Sequence, residues 1–372
     1  MTEFLSALPL DKLGRMILVC ASDRSTRNPP ALNWSETPIE PSTLRLPCGK
    51  GAKLPQRLRF VLALIRNRRT LAELSPEVVY AHTPESALAM SLLLPRVPLV
   101  CHLHGVDNPL RLSRYRPVRS FPGPNLYDAF VARPAMMRAA AVLLTTDRKR
   151  ADELIARQVP SERTKLYWMP SMVNLRVFTP VRDVEGRRAL GFAKEDCVIV
   201  VVGRLVDSKG VQTVLRACEN ARRQCERIKL LIVGDGPYRS ALVALADELG
   251  ITHAVRFVGY RRRAELPTLL QASDIYVSAS WREGFSLALL EALACGLPVI
   301  CSDVGGVREV IEEGRNGHIV APCTSEAIAG AILSVVPRRH EMASSCVSAV
   351  EPFDSRQVTQ RIITILDRVA GK

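Results

Sequence analysis

Residues 274–301 read Asp274-Ile-Tyr-Val-Ser-Ala-Ser-Trp-Arg-Glu283-Gly-Phe-Ser-Leu-Ala-Leu-Leu-Glu291-Ala-Leu-Ala-Cys-Gly-Leu-Pro298-Val-Ile-Cys301. Asp274 to Ala279 has the apolar, β-branched character of a buried strand. Ser286 is a good N-cap, Leu287 to Ala294 is helix-forming, and Gly296 with Pro298 is a helix stop before a second strand, Pro298 to Cys301. Leu287, Leu290 and Leu293 are expected to face the core. Glu283 then lies in the loop before the helix, and Glu291 is the one charge between Gly284 and Ile300. A lone carboxylate in so apolar a stretch is costly unless something polar is aimed at it, so the segment reads as built around a ligand. Two solvated glutamates would be the plainer explanation of the pair taken alone.

The flanking sequence repeats the pattern. Strands are expected at Cys197 to Val202, Lys229 to Val233 and Ala254 to Val258, with helices from about Lys209, from Tyr238, near Ala264 to Ala272, and a short one near Val307. Strands alternating with helices at this spacing mean a parallel sheet covered on both faces, a Rossmann-like α/β domain. The first half is less regular, but Met16 to Ala21, Glu77 to Ala81, Val97 to His102 and Ala139 to Leu144 read as strands, so it too is α/β. Trp168 to Pro180 is turn-rich and is followed by the charged stretch Val181 to Glu195, which reads as an interdomain link. The expected division is residues 1–180 and 181–354, with an amphipathic helix from Ser355 to Ala370.

At 372 residues, 47% apolar and 24% charged, the chain has the size and composition of a two-domain globular protein. No apolar run reaches spanning length, since Pro95, Arg96 and Pro98 interrupt the nearest candidate. No signal peptide is evident, and the ten cysteines show no zinc-like or paired spacing, so reduced thiols in the cytoplasm are the default reading. The net charge of +14 is uneven: residues 1–180 carry 26 Lys and Arg against 14 Asp and Glu, the remainder 25 against 23. The excess gathers in Arg57-Leu-Arg-Phe-Val-Leu-Ala-Leu-Ile-Arg-Asn-Arg-Arg69 and in Arg111, Arg114, Arg116 and Arg119. The first is a basic, apolar helix that either lies on an anionic membrane surface, placing the protein on the inner face of the membrane, or is a core helix with arginine ends. No nucleic-acid recognition signature accompanies the charge, so nucleic acid is not expected as a partner.

Further motifs fall at the ends of the second-half strands. Gly203-Arg-Leu-Val-Asp-Ser-Lys-Gly210 offers a planar guanidinium at Arg204 and a compact ammonium at Lys209, a combination that suits a diphosphate. Gly234-Asp-Gly-Pro237 and Gly259-Tyr260 are tight turns where backbone could approach a nucleotide, and Gly305-Gly306 follows the strand after the Glu291 helix. Parallel sheets bind ligands at such strand ends.

This combination resembles the retaining glycosyltransferases of the GT-B fold, group 1 or family 4. The resemblance runs from Ile199 to about Val336 through Gly-Arg-Leu…Lys-Gly, Val-Gly-Asp-Gly-Pro, Phe-Val-Gly-Tyr, Ser-x-x-Glu-Gly-Phe-Ser-Leu-Ala-Leu-Leu-Glu-Ala, Gly-Leu-Pro-Val-Ile and Gly-Gly-Val-Arg-Glu-Val-Ile. It continues more thinly in Val79-Tyr-Ala-His82, His104-Gly-Val-Asp107 and Met169 to Pro180. The resemblance implies two Rossmann-like domains facing across a cleft, the second binding a nucleotide-sugar donor, with the last helix crossing back to the first. It implies that Glu291 accepts from the ribose hydroxyls, Glu283 addresses the transferring sugar, and Arg204 and Lys209 neutralise the leaving diphosphate. Amides of Phe285, Ser286 and Leu287 would assist, with Gly203, Gly284, Gly234 and Tyr260 lining the donor, and His104, on a loop after a first-half strand, would contact the donor sugar. His82 reads as structural. The acceptor is expected to be a glycan or lipid-linked molecule in cell-surface polysaccharide or glycolipid synthesis.

No Asp-x-Asp motif is present; Asp183-Val-Glu185 is nearest and reads as solvated, so neither metal nor cofactor is expected. In one respect the chain departs from the family. Met1 to Arg15 reads as the tail of a first helix leading into the second strand, so the expectation is a start placed too late, a truncated gene, or a reduced acceptor domain without the usual opening strand and Gly-rich loop. Two other readings stay open: a donor-binding scaffold without activity, and another enzyme of this fold such as a sugar-nucleotide epimerase. A phosphorylase would need a lysine for pyridoxal phosphate, for which no segment matches.

Overall fold

The computed structural model describes residues 17–22, 42–47, 56–104, 126–145 and 165–371. The chain divides into two units, Met1–Pro170 with Arg356–Lys372, and Ser171–Ser355. Each is built on parallel strands.

In the first unit β1 (Ile17–Ser22) pairs in parallel with β2 (Ser42–Pro47). After them come α1 (Gln56–Arg66), α2 (Arg68–Glu73), β3 (Val79–Ala81), α3 (Pro84–Leu93) and β4 (Leu99–His104). A π-helical turn, Asp128–Ala132, runs into α4 (Arg133–Arg138), followed by β5 (Ala141–Thr145) and β6 (Lys165–Trp168). The second sheet has the order β3-β4-β5-β6, all parallel. Val100, Cys101, Val142 and Leu143 are fully buried, as a parallel sheet covered on both faces requires.

The basic helix takes the core-helix form. Asn67 interrupts it, its side-chain amide donating to the Ala63 carbonyl at 2.8 Å. Ala63 and Leu64 pack with Leu71 and with Ala89 of α3, so the apolar stripe is buried within the unit while Ile65, Arg66, Arg68 and Arg69 face solvent. β4 also differs from expectation. The Val97 amide bonds back to Leu94 in a turn and Pro98 has no amide to offer, so the strand begins at Leu99 and ends on His104, which pairs with Thr145 and is not in a loop. Residues 1–16 and 105–125, which hold the expected first-helix tail, Gly105, Asp107 and Arg111 to Arg119, lie outside the described residues.

The second unit opens with α5 (Val184–Ala189) and β7 (Cys197–Val202). It continues with α6 (Val211–Arg222), β8 (Ile228–Val233), α7 (Arg239–Glu248), β9 (Val255–Gly259), α8 (Leu266–Gln271) and β10 (Ile275–Ser278). The last elements are α9 (Leu287–Ala294), β11 (Val299–Ser302), β12 (Gly317–Val320), α10 (Ser325–Val335) and α11 (Ala343–Val350). The six strands are parallel in the order β12-β11-β10-β7-β8-β9. The chain therefore winds outward from β7 in one direction and from β10 in the other. The two central strands part at their carboxyl ends, which is where doubly wound sheets bind ligands. The final helix, α12 (Ser355–Ala370), groups with the first unit from Arg356 onward. No helix among the described residues is long and apolar enough to cross a membrane.

At their amino ends β7 and β10 are tied by a buried polar cluster. Asp274 accepts from the Val198 amide at 2.8 Å, from Arg187 at 2.8 Å and from Arg182 at 3.1 Å. Arg187, 2% exposed, also donates to the carbonyls of Ala193, Ala272 and Asp196. The stretch read as a charged link is thus part of the second unit, because a buried carboxylate needs that arginine. Asp183 is not simply solvated either; it caps α5 by accepting from the Gly186 amide at 2.8 Å.

Candidate functional site

The loops leaving β7 and β10 are joined to each other. Gly210 is left-handed (φ 64°) ahead of α6, and a Cβ there would lie 2.0 Å from the Ala279 carbonyl oxygen. The Trp281 amide donates to the Ser208 carbonyl at 3.0 Å. This close packing brings Lys209 onto Glu283 as an ion pair, with the Ser280 hydroxyl donating to the same carboxylate oxygen at 3.2 Å. Ser280 is itself held by the Ser302 hydroxyl, which donates to its carbonyl at 2.6 Å. A small recess between the two strand ends is lined by Gly203, Arg204, Lys209, Tyr276, Ser278 and Ser280. Arg204 is exposed beside it.

The glycines here allow close backbone packing. A Cβ on Gly305 (φ 63°) would sit 2.0 Å from the Gly284 carbonyl oxygen, and one on Gly306 would sit 2.2 Å from the Phe285 ring. Gly306 also donates to Gly284 at 3.0 Å. The Gly-Gly turn therefore cradles the Glu283–Phe285 loop. From the other side, Phe285 packs its ring 5.5 Å from that of Phe353, and its carbonyl accepts from Ser171 at 3.2 Å. Likewise a Cβ on Gly234 would fall 1.8 Å from the Gly203 carbonyl oxygen, so this pair lets adjacent strand ends touch.

Helix α9 spans the expected residues, but two of its details differ. Ser286 occupies the N-cap position with extended backbone and makes no side-chain bond to the helix amides; its hydroxyl bonds Tyr276, whose phenol burial pushes up in pKa. Leu287 is 41% exposed and does not join the core with Leu290 and Leu293, because the first turn stands at the open edge of the sheet. Glu291 is 4% exposed. The group aimed at it is a protein side chain that its own sequence context does not reveal: Arg263, on the 3-10 turn Arg263–Glu265 after β9, donates through Nη2 to Oε1 at 2.5 Å. Burial raises the Glu291 pKa and Arg263 opposes that rise. Of the three consecutive arginines, Arg261 and Arg262 are engaged locally with Glu265, and Arg263 alone reaches across. Tyr260, on the same segment, is 75% exposed.

Glu283, Gly284, Phe285, Ser286, Leu287, Glu291, Gly203, Arg204, Lys209, Gly234 and Tyr260 all belong to the second unit, at the carboxyl ends of its strands. His104 belongs to the first unit, as the last residue of β4. Near it in sequence, His102 is buried between two hydroxyls, Tyr80 Oη at 2.5 Å from Nδ1 and Thr145 Oγ1 at 2.7 Å from Nε2, and His82 stacks edge-on against Tyr80. Among the described residues no three His, Cys, Asp or Glu side chains converge as a metal-ligand set.

Two family models match consecutive parts of the chain: glycosyl transferases group 1 over residues 184–350, and a glycosyl transferase 4-like domain over residues 7–167. The α-D-kanosaminyltransferase of Streptomyces kanamyceticus is 29% identical over 283 residues, covering 73% of this chain and 71% of the relative. The D-inositol 3-phosphate glycosyltransferase of Mycobacterium tuberculosis is 31% identical over 211 residues, 54% of this chain but only 43% of the relative. Among solved structures, Anabaena HepE in complex with UDP superposes with a TM-score of 0.75 at 22% identity, covering 99% of this chain and 96% of that one. Together with the two parallel-sheet units and the motif order, these matches show that the chain belongs to the group 1 glycosyl transferases and has the GT-B fold.

Proposed function

We propose that this protein transfers a hexose from a nucleotide-sugar donor to a glycan or lipid-linked acceptor with retention of configuration, in the synthesis of a cell-surface polysaccharide or glycolipid. The observation that carries the reading is the Lys209–Glu283 pair between the two central strand ends, with Arg204 beside it and Glu291 one helix away. Solved relatives hold UDP and UDP-glucose, and the named relatives above are sugar transferases.

In this reading Glu291 accepts from the ribose hydroxyls and Tyr260, Gly203 and Gly234 line the nucleotide. Lys209 and Arg204 meet the diphosphate, with the amides of Phe285, Ser286 and Leu287 at the start of α9. The bond between the anomeric carbon and the diphosphate oxygen breaks, and an acceptor hydroxyl oxygen forms the new one. The acceptor proton passes to the departing phosphate, whose negative charge is stabilised by the two cations. Glu283 holds a hydroxyl of the transferring sugar. The scheme uses no cofactor and no metal. The arginine-rich exposed edge of α1 and α2 would favour an anionic membrane surface by charge alone.

The test supplies the full chain with UDP- and GDP-sugars together with a lipid or glycan extract and measures nucleoside diphosphate release. Glu283→Gln should abolish release while preserving donor binding. A protein that binds donor yet releases nothing with any acceptor would be the scaffold instead.

A further inference from the structure

Glu291 reaches the nucleotide side of the site as a nearly buried carboxylate, and the side chain that makes this tolerable comes from a different strand end. Arg263 Nη2 donates to Glu291 Oε1 at 2.5 Å, with the arginine side chain 41% exposed and the glutamate side chain 5%. The arginine therefore stands between solvent and the carboxylate. Its location is fixed locally: Gly259 turns the chain after β9, the Glu265 carboxylate accepts from the Arg262 amide at 2.9 Å, and Arg263 begins the 3-10 turn that ends on Glu265.

We propose that Arg263 is a positioning residue for donor binding, which orients the Glu291 carboxylate and holds it charged for the ribose hydroxyls. This rests on the donor-site reading above. A carboxylate has about four lone-pair sites, so one bond from Arg263 leaves room for two hydroxyl donors. A protonated Glu291 would accept less well from those hydroxyls, and a rotated one would miss them. Few other ionisable groups face Glu291. Tyr276 of β10 and Cys295, just after α9, lie near enough to be affected by its charge, and both are buried and held neutral. Of the other elements packed on α9, α8 and α11 carry no charged residue and β11 carries only the buried thiol Cys301. Arg263 is thus the cation that opposes the upward push of burial on this carboxylate.

Calorimetric titration of the full chain with UDP and with GDP, each beside its 2′,3′-dideoxy counterpart, tests the assignment. Arg263→Gln should weaken binding of the ribonucleotide about tenfold, the loss expected when a charge-assisted bond is compromised. It should leave the dideoxy affinity unchanged, since no hydroxyl then depends on Glu291. The deficit should deepen as pH is lowered from about 8 to about 5, because without Arg263 the carboxylate protonates at higher pH. Arg263→Lys should restore most of the affinity, and it carries the test if thermal melts show Arg263→Gln to be unstable. Equal loss for ribo- and dideoxynucleotide, or no loss at all, would overturn the proposal. Wild-type protein that binds neither UDP nor GDP would instead bring down the donor-site reading on which it depends.

Discussion

Lys209 and Glu283, 74 residues apart, form an ion pair across the parting carboxyl ends of β7 and β10. Each is thereby satisfied by the other before any ligand arrives. In the proposed reaction an incoming diphosphate would compete with Glu283 for the ammonium and release the glutamate toward the sugar. Both side chains keep partial exposure, so the pair itself contributes little to folding.

Replacing Lys209 by Ala is therefore expected to lower kcat by about 10²- to 10³-fold, as for loss of a group that meets developing charge. The melting curve should move little, by the equivalent of under about 1 kcal/mol. Steady-state kinetics beside a thermal melt separates the two effects; a large loss of stability with intact turnover would remove Lys209 from the machinery.

The Gly-Gly turn supplies a second prediction. Gly305→Ala places a methyl group against the Gly284 backbone and forces a left-handed alanine. It should cost more than about 2 kcal/mol and lower activity, because the loop carrying Glu283 must move. Gly314, also left-handed but with nothing within 4 Å of a Cβ, is the control. Its alanine variant should cost about 1 kcal/mol and leave turnover unchanged. Similar losses at the two positions would mean that backbone strain alone is at work.

Glu291 has a folded-state pKa raised by burial, so the folded protein takes up a proton there more readily than the unfolded chain does. Its contribution to stability is most favourable at low pH and is lost as pH rises through the raised value. Glu291→Gln, which never ionises, should gain stability relative to wild type as pH increases through that window while losing nucleotide affinity. Urea unfolding at a series of pH values reads the first effect and calorimetry the second. A variant whose relative stability falls with rising pH would contradict the assignment.

At the opposite edge of the sheet, Asp274→Ala would leave Arg187 buried without its carboxylate. A loss of about 3–5 kcal/mol is expected, as for breaking one side of a buried pair. Chemical denaturation measures it, and a loss below about 1 kcal/mol would show that the carbonyls of Ala193, Ala272 and Asp196 suffice for the arginine.

Much of this protein was legible along the chain because its cause is local. Helix α9 runs over the expected residues, Leu287–Ala294, since an extended Ser286 and a left-handed Gly296 bound it, and α12 follows its own amphipathic pattern from Ser355 to Ala370. The alternation that makes the second unit a doubly wound sheet is likewise written in successive segments, and it places Glu283 and Lys209 at neighbouring strand ends. The strands β2, β6 and β12 escaped, because Ser42–Pro47, Lys165–Trp168 and Gly317–Val320 mix polar, proline or glycine residues into short segments and lack the continuous apolar run that marked the others.

What only the tertiary structure decided are contacts between segments far apart in sequence. Nothing near Arg57 says that its helix will cover its apolar face with Ala89 and its neighbours in α3. Nor does anything near Gly305 predict the Phe285 ring beside Gly306, or anything near Glu291 single out Arg263 from its two arginine neighbours. The sequence determined that a carboxylate would be buried among apolar residues at position 291. Which cation would make that burial tolerable depended on how two strand ends come together, and a side chain's reach in space has no counterpart in its spacing along the chain.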